Sequence, residues 1–280
     1  MGKVDLHIHT TASDGRFSPE EIIRKSAGFG MSTVAITDHD TIAGIAPALE
    51  VARDFPQLTV IPGVEISTDT PGGEVHILGY FIDYRDSELK AALERFRNSR
   101  LTRAQGMIAK LGNLGVDINW QRVKEIAGDG SVGRPHIALA MLEKGYIKSF
   151  GEAFTKYIGY GGTAYVERYK MTPEEAVKLV LQAKGLPVLA HPFSVEDSEA
   201  MIIRLKSVGL IGSEAYYKDY TASKIRNLVS LAEKYNLIAT GGSDYHGLDD
   251  DSEVKIGGAD VPFGSVERLK ALTKLPALQS

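Results

Sequence analysis

Val4-Asp5-Leu6-His7-Ile8-His9-Thr10 runs straight into Thr11-Ala12-Ser13-Asp14-Gly15. The first part reads as one short strand and the second as a turn. Side chains alternate faces along a strand, so His7 and His9 share one face while Leu6 and Ile8 share the other. The apolar pair anchors the strand in a core. The two imidazoles, with the carboxylate of Asp14 just beyond, form an incipient metal site. A His-x-His pair also suits a strand with one polar face in solvent, so the rest of the chain must decide.

The chain has 280 residues, 43% of them hydrophobic, with a formal net charge of −4. That length suits one large α/β barrel or a domain carrying an insertion. No apolar run is long enough to span a bilayer, and Met1-Gly2-Lys3 leads into a strand without a signal-peptide core, so a soluble cytoplasmic protein is expected. There are no cysteines, which excludes disulfides, zinc fingers and thiolate nucleophiles. Any metal must be held by His, Asp and Glu, a donor set for zinc, manganese or iron. The mild acidity argues against binding duplex DNA through bulk charge.

Strand and helix alternate through the first third. Ser18-Pro19-Glu20-Glu21 is a capping box that opens a helix ended by Gly30. A buried strand over 33–37 delivers Asp38-His39-Asp40, and a helix over 41–53 follows. Strands over 58–67 and 74–82 carry Glu65 and His76. Chemistry at strand ends in such an alternation is the signature of a parallel α/β barrel-like fold. The text then turns helical, with helices expected over 88–114, 118–127, 134–144 and 150–158. This predicts a small helical subdomain over 87–162 inserted into a barrel made of 1–86 and 163–280. Thr172-Pro173-Glu174-Glu175 is a second capping box. Strands over 186–190, 210–216 and 237–240 follow, the first ending in His191-Pro192 and the last in Gly241-Gly242-Ser243-Asp244-Tyr245-His246. The count is about seven barrel strands.

Six of the seven histidines, His7, His9, His39, His76, His191 and His246, fall at or beside an expected strand end; His136 alone lies in the insert. Random placement would scatter them over helices and surfaces. Glu65 also sits at a strand end, where a buried carboxylate needs a cation or partner. Asp244 and His246 repeat the i, i+2 spacing of His7 and His9. Asp38 and Asp40 flank His39 and read equally as orienters of a ligand or as solvent-facing caps.

The ordered set His7-Ile-His9-Thr-Thr-Ala-Ser-Asp14-Gly, Thr37-Asp-His39-Asp, Gly63-Val-Glu65, His76-Ile-Leu-Gly-Tyr, Ala190-His191-Pro192 and Gly242-Ser-Asp244-Tyr-His246 resembles the PHP (polymerase and histidinol phosphatase) domain family. The resemblance implies a distorted, TIM-like barrel of seven β/α units with two or three divalent metal ions (Mn, Fe or Zn) at the strand ends. By position it implies a first ion on His7, His9, Glu65 and Asp244. Glu65 would bridge to a second ion held with His76 and His191, and Asp14, His39 and His246 would hold a third. Some members have a histidine where Asp14 stands. The implied chemistry is hydrolysis of a phosphate monoester by metal-activated hydroxide, with Glu65, His191 and Asp14 as catalytic residues and no serine nucleophile.

The insert is expected to set the substrate. Arg97, Arg100 and Arg103 fall within two turns of one helix, Gly133-Arg134-Pro135-His136 opens another, and Arg168 and Lys170 follow. A solvated basic face accounts for any one of these. Together they suggest a pocket for a second anionic group, because a helix N-terminus adds free N–H groups and arginine's planar fork suits phosphate. Within the family, such an insert resembles the 3′,5′-nucleotide bisphosphate phosphatases, which release the 3′ phosphate of adenosine 3′,5′-bisphosphate and leave AMP. Relatives of this layout act as 5′-to-3′ exonucleases on short single-stranded RNA. That reading expects a basic groove with stacking aromatics, for which Tyr146, Phe154, Tyr157 and Tyr160 are candidates. The histidinol-phosphate branch has no need of clustered arginines, and the polymerase branch is not expected of a chain ending soon after its barrel. A third class, a non-catalytic regulatory module with structural metals, sits poorly with nine ligands, since structural sites usually close with four.

Overall fold

The structure, a computed structural model, describes residues 2–70, 73–128, 132–167, 171–218, 220–248 and 254–273, apart from the side chains of Arg97 and Arg100. Arg168 and Lys170 lie outside the described residues. The chain separates into two compact units, one formed by Met1–Ala91 with Met171–Ser280 and the other by Ala92–Lys170.

In the first unit the elements are β1 (Lys3–Ile8), α1 (Pro19–Gly28), β2 (Met31–Ile36), α2 (Ile45–Ala52), β3 (Thr59–Thr70) and β4 (Gly73–Tyr80). The helix α3 (Ser87–Asn113) leads into the second unit, which holds α4 (Trp120–Ala127), α5 (Arg134–Glu143) and α6 (Phe150–Ala153). The first unit resumes with α7 (Pro173–Gln182), β5 (Leu186–Leu189), α8 (Ser198–Lys206), β6 (Gly212–Tyr217), α9 (Ala222–Lys234), β7 (Ile238–Gly242) and α10 (Phe263–Leu272).

The seven strands form one sheet in chain order, β1 to β7. The sheet is drawn into a nearly closed, TIM-like barrel by a bridge between Ile8 and Tyr245, where the His9 amide donates to the Tyr245 carbonyl at 3.0 Å. Parallel pairing holds throughout except at β4, which runs antiparallel to both β3 and β5. This corrects the expectation of a wholly parallel barrel. Only two residues separate β3 from β4, and a parallel return needs a crossover of a dozen or more.

The alternation expected of β1 holds. Leu6 joins a core with Val266 and Leu269 of α10, and Ile8 joins another with Ile22 and Ile23 of α1. His7 and His9 are buried on the opposite face. Both capping boxes form: the Glu21 and Glu175 amides donate to the hydroxyls of Ser18 and Thr172, whose own amides donate to the glutamate carboxylates at 2.8 Å. Two helices are shorter than expected. The segment before Ile45 is irregular, so α2 begins four residues later than expected. The expected helix over 150–158 breaks into the single α turn of α6 and a π turn over Phe154–Ile158.

The second unit has a core of its own around Met107, Leu111, Val123, Ile137 and Met141. Phe154 and Tyr157 pack against it, while Tyr160 is exposed.

Candidate metal centre

Six strands and the loops that follow them bring nine side chains into one pit; Glu65 and His76 stand inside β3 and β4 rather than at the strand ends expected for them. His7 and His9 come from β1 and its extension, Asp14 from the following loop, His39 from the end of β2, and Glu65 and His76 from the β3–β4 hairpin. His191 follows β5, and Asp244 and His246 follow β7. These are all nine of the expected ligands.

They fall into three overlapping groups. In the first, His7 Nε2 lies 3.2 Å from Glu65 Oε2 and 3.4 Å from Asp244 Oδ1, and His9 Nε2 lies 3.3 and 3.0 Å from the same two atoms. In the second, Glu65 Oε1 lies 2.8 Å from His76 Nδ1 and Glu65 Oε2 lies 3.1 Å from His39 Nδ1; His191 meets this group through Glu65 alone, its Nε2 3.1 Å from Oε1. The third gathers Asp14, His39 and His246 with the other nitrogen of His9. Asp14 Oδ1 is 3.4 Å from His246 Nε2 and 3.7 Å from His9 Nδ1, and Asp14 Oδ2 is 3.9 Å from His39 Nε2. His9 and His39 thus each face two groups, one through each ring nitrogen, whereas the sequence places each in a single group.

This geometry fits divalent cations. His7 Nε2, both nitrogens of His9, His39 Nδ1, Asp14 Oδ1 and Glu65 Oε2 are buried without a hydrogen bond. Leaving such an atom unsatisfied costs about 1–3 kcal/mol. Donors about 2.1 Å from a common ion stand roughly 3.0–3.4 Å apart at the corners of an octahedron or tetrahedron. The first group has those edge lengths. The all-nitrogen-and-oxygen donor set suits zinc, manganese or iron.

Burial opposes ionisation at each of these groups, and the surrounding charges decide the outcome. Against burial, the imidazoles of His39, His7 and His76 hold Glu65 well below the usual carboxylate range. Asp14 is likewise lowered by His39 and His246, and Asp244 by His7 and His246. Against burial, Glu214, Glu65 and Asp244 push His7 well up, and Asp244 and Glu65 raise His9 to about 10. At His39 burial wins, and its pKa falls to about 4. Without metal, the pit is a dense network of opposite charges.

Residues around the pit fix its donors. Glu214 of β6 is wholly buried; its Oε1 is 3.1 Å from His7 Nδ1 and its Oε2 accepts from the His191 amide at 2.7 Å. Tyr217 donates its hydroxyl to Asp244 Oδ2 at 2.7 Å, and Lys218 Nζ reaches the same oxygen at 3.0 Å. Asp38 accepts from the Thr10 amide, the Thr10 hydroxyl and the Ser13 hydroxyl, which pins the loop carrying Asp14. Asp40 accepts from the Ser67 amide at 2.8 Å. Both aspartates are buried, so the solvent-facing alternative is set aside. Asp40 (φ 50°), His191 (φ 26°) and Asp244 (φ 49°) are all left-handed, a strain of about 1–3 kcal/mol each concentrated at the pit.

The profile of the PHP domain matches residues 5–177. The chain belongs to the PHP domain family. Among its PHP relatives, the 5′-3′ exoribonuclease Rnm of Escherichia coli (strain K12) is 34% identical over 247 residues, covering 86% of this chain and 84% of that protein. The 3′,5′-nucleoside bisphosphate phosphatase of Chromobacterium violaceum is 31% identical over 258 residues, covering 88% of each. The crystal structure of a proposed metal-dependent phosphoesterase from Bifidobacterium adolescentis superposes with a TM-score of 0.85 at 25% identity, covering 98% of this chain and 97% of that one. This PHP chain is therefore a metal-dependent phosphoesterase, a hydrolase of phosphoric ester bonds. Among the described residues, no helix is long and apolar enough to cross a membrane.

Three of the expected substrate-binding residues, Arg103, Arg134 and His136, have partners within the second unit. Arg103 is buried, donates Nε–H to the Val166 carbonyl at 2.9 Å and stacks over Tyr165. The Arg134 guanidinium lies over Phe154, and His136 Nδ1 accepts from the Gly133 amide at the start of α5. Arg97 and Arg100 lie on α3.

Sequence reasoning passed over Glu214, Tyr217 and Lys218. The signal for Glu214 was a carboxylate inside the strand text Gly212-Ser-Glu-Ala-Tyr-Tyr217, at odds with burial unless partnered. Asp5, on the same face as His7 and His9, was a second such signal; it accepts from the amides of His7, Ser243 and Gly257 and ties β1 to the far end of the chain.

Proposed function

We propose that this chain hydrolyses the 3′ phosphate of a nucleoside 3′,5′-bisphosphate, leaving the nucleoside 5′-monophosphate and inorganic phosphate. The observation that carries the reading is the convergence of two donor groups on one carboxylate, Glu65, with the third joined to them through His9 and His39, so that a single phosphoryl group can meet all of them. His7, His9, Glu65 and Asp244 hold one ion in this proposal, Glu65 with His76 and His191 a second, and Asp14, His39 and His246 a third. Such ions supply an activated water and neutralise phosphoryl charge when bound.

The chain's own residues set the donors. Glu214 accepts a hydrogen bond from the Nδ1–H of His7 and leaves Nε2 free to coordinate. Tyr217 and Lys218 occupy Oδ2 of Asp244 and leave Oδ1 to the first group. Lys218 also brings a fixed cation to the rim for a phosphate oxygen. Among the cations expected to take the second phosphate, Arg97, Arg100, Arg134, Arg168 and Lys170 remain the proposed set, while Arg103 and His136 engage the Val166 carbonyl and the Gly133 amide. Arg134 leads this set because the α5 N-terminus adds N–H groups to its charge.

The identity to the Chromobacterium violaceum phosphatase over nearly the whole of both chains supports this substrate. The similar identity to the Escherichia coli exoribonuclease favours a second reading, trimming of short 5′-phosphorylated single-stranded RNA. Phosphate release from adenosine 3′,5′-bisphosphate, measured beside mononucleotide release from a 5′-phosphorylated tetraribonucleotide, separates the two. Preference for the bisphosphate, abolished in Glu65→Ala and His191→Ala, is the expected result. Preference for the oligonucleotide replaces the first reading with the second.

A further inference from the structure

Beside the pit, a ladder of aromatic rings leads outward to solvent within the barrel unit. The His191 ring lies 5.8 Å from that of Tyr217, Tyr217 lies 5.0 Å from Tyr220, and Tyr220 lies 5.0 Å from Phe193 at 87°. Phe193 follows His191 by two residues and is 45% exposed, although it sits on the rim of a charged centre. Lys224 Nζ lies 4.9 Å from the Phe193 centroid and 5.5 Å from that of Tyr220. The Phe193 amide also points to the Tyr220 hydroxyl at 3.4 Å, which ties the loop after β5 to the loop after β6.

We infer that Phe193 and Tyr220, backed by Tyr217 and Lys224, form the stacking platform for the nucleobase of the substrate. The inference rests on the proposed nucleotide substrate and adds where its base is held. Two observations select the occupant. The ladder starts at the ring of His191 and reaches Phe193 in three ring steps, and Phe193 follows His191 by only two residues, so an aromatic face stands beside the place where a phosphoryl group would be held. A flat π-face is also what the exposed Phe193 can recognise, and base–aromatic stacking tolerates every base, so the platform predicts affinity with weak base preference. Lys224, on the rings, adds a cation that suits the electron-rich edge of a base or a nearby phosphate.

The test compares Phe193→Ala and Phe193→Trp with the unaltered metal-loaded enzyme on two substrates, a nucleoside 3′,5′-bisphosphate and the same ribose bisphosphate without a base. Titration of nucleoside 5′-monophosphate into each protein gives a readout independent of turnover. Phe193→Ala is expected to raise KM and the mononucleotide Kd by roughly 5- to 150-fold, selectively for base-containing ligands. Phe193→Trp, which restores an aromatic face, is expected to recover them. Equal effects on base-containing and base-free ligands, or none on either, overturn the platform. If the enzyme cleaves no bisphosphate yet Phe193→Ala still weakens mononucleotide binding, the substrate reading falls and the platform stands. Efficient bisphosphate cleavage that is indifferent to Phe193→Ala gives the reverse.

Discussion

His7 Nδ1 lies 3.1 Å from Glu214 Oε1, and both side chains are wholly buried. The pairing settles which end of the imidazole is left for the pit. It also fixes the strand-end geometry, because the other Glu214 oxygen holds the His191 amide in its left-handed turn. Glu214→Gln keeps the shape and removes the charge. It is expected to weaken metal affinity by about 10- to 100-fold, measured by competition with a chelating dye. An unchanged affinity would reduce Glu214 to a packing residue.

Metal loading must displace protons. In the metal-free pit His9 has a pKa of about 10, so it is charged at neutral pH, and a coordinating nitrogen must be free of its proton. Calorimetric titration of metal at pH 7.5 in two buffers of different ionisation enthalpy is expected to report net proton release. Equal heats in the two buffers would contradict a protonated cluster.

The same shifts set the pH profile of the chelator-treated protein. His9 is raised, so its contribution to stability is fully present below about pH 6.5 and is lost as pH rises through about 10. Glu65, Asp14 and Asp244 are lowered, so their contribution is present above the ordinary carboxylate range and is lost as pH falls below that range toward their lowered values. His39, lowered to about 4, adds a loss between about pH 6.5 and 4, where only the unfolded chain takes up its proton. Tm of the metal-free protein is expected to peak near pH 6.5–7 and fall on both sides. A Tm that climbs from pH 7 to 10 would contradict the His9 assignment.

Gly242 marks a contact with no room in it. A Cβ there would stand 2.4 Å from both the Cβ and the backbone nitrogen of His7. Gly242→Ala is expected to displace β1 at its histidine, costing about 1–3 kcal/mol by overpacking, read from denaturant unfolding. Metal content should fall with it. Full stability and full metal content would show that the strands part easily at this point.

The donors were legible because coordination restricts residue types. Histidines at strand ends have few alternative uses, and the i, i+2 spacing of His7 with His9 and Asp244 with His246 reports a shared face directly. Ring orientation is not written in the chain, so the double role of His9, Nε2 in one group and Nδ1 in another, came only with the fold. Glu214, Tyr217 and Lys218 were passed over because β6 contributes no histidine, and each acts through a donor supplied by another strand. The reversal at β4 follows from the two-residue gap at Pro71-Gly72, a hairpin signal masked by the strength of the surrounding strand–helix alternation. The basic residues of the insert show the limit of charge reading, since Arg103 serves a backbone carbonyl and a tyrosine ring inside its own unit.

The proposed function makes Glu65 the shared ligand of a multi-metal centre. Anomalous difference maps from crystals grown with manganese test it most directly. Two or three peaks are expected in the pit, with at least two of them about 2.0–2.3 Å from the Glu65 carboxylate oxygens and the imidazoles of His7, His9, His76 and His191 around them. A pit without anomalous density, its imidazoles bonded only to the carboxylates, would contradict it.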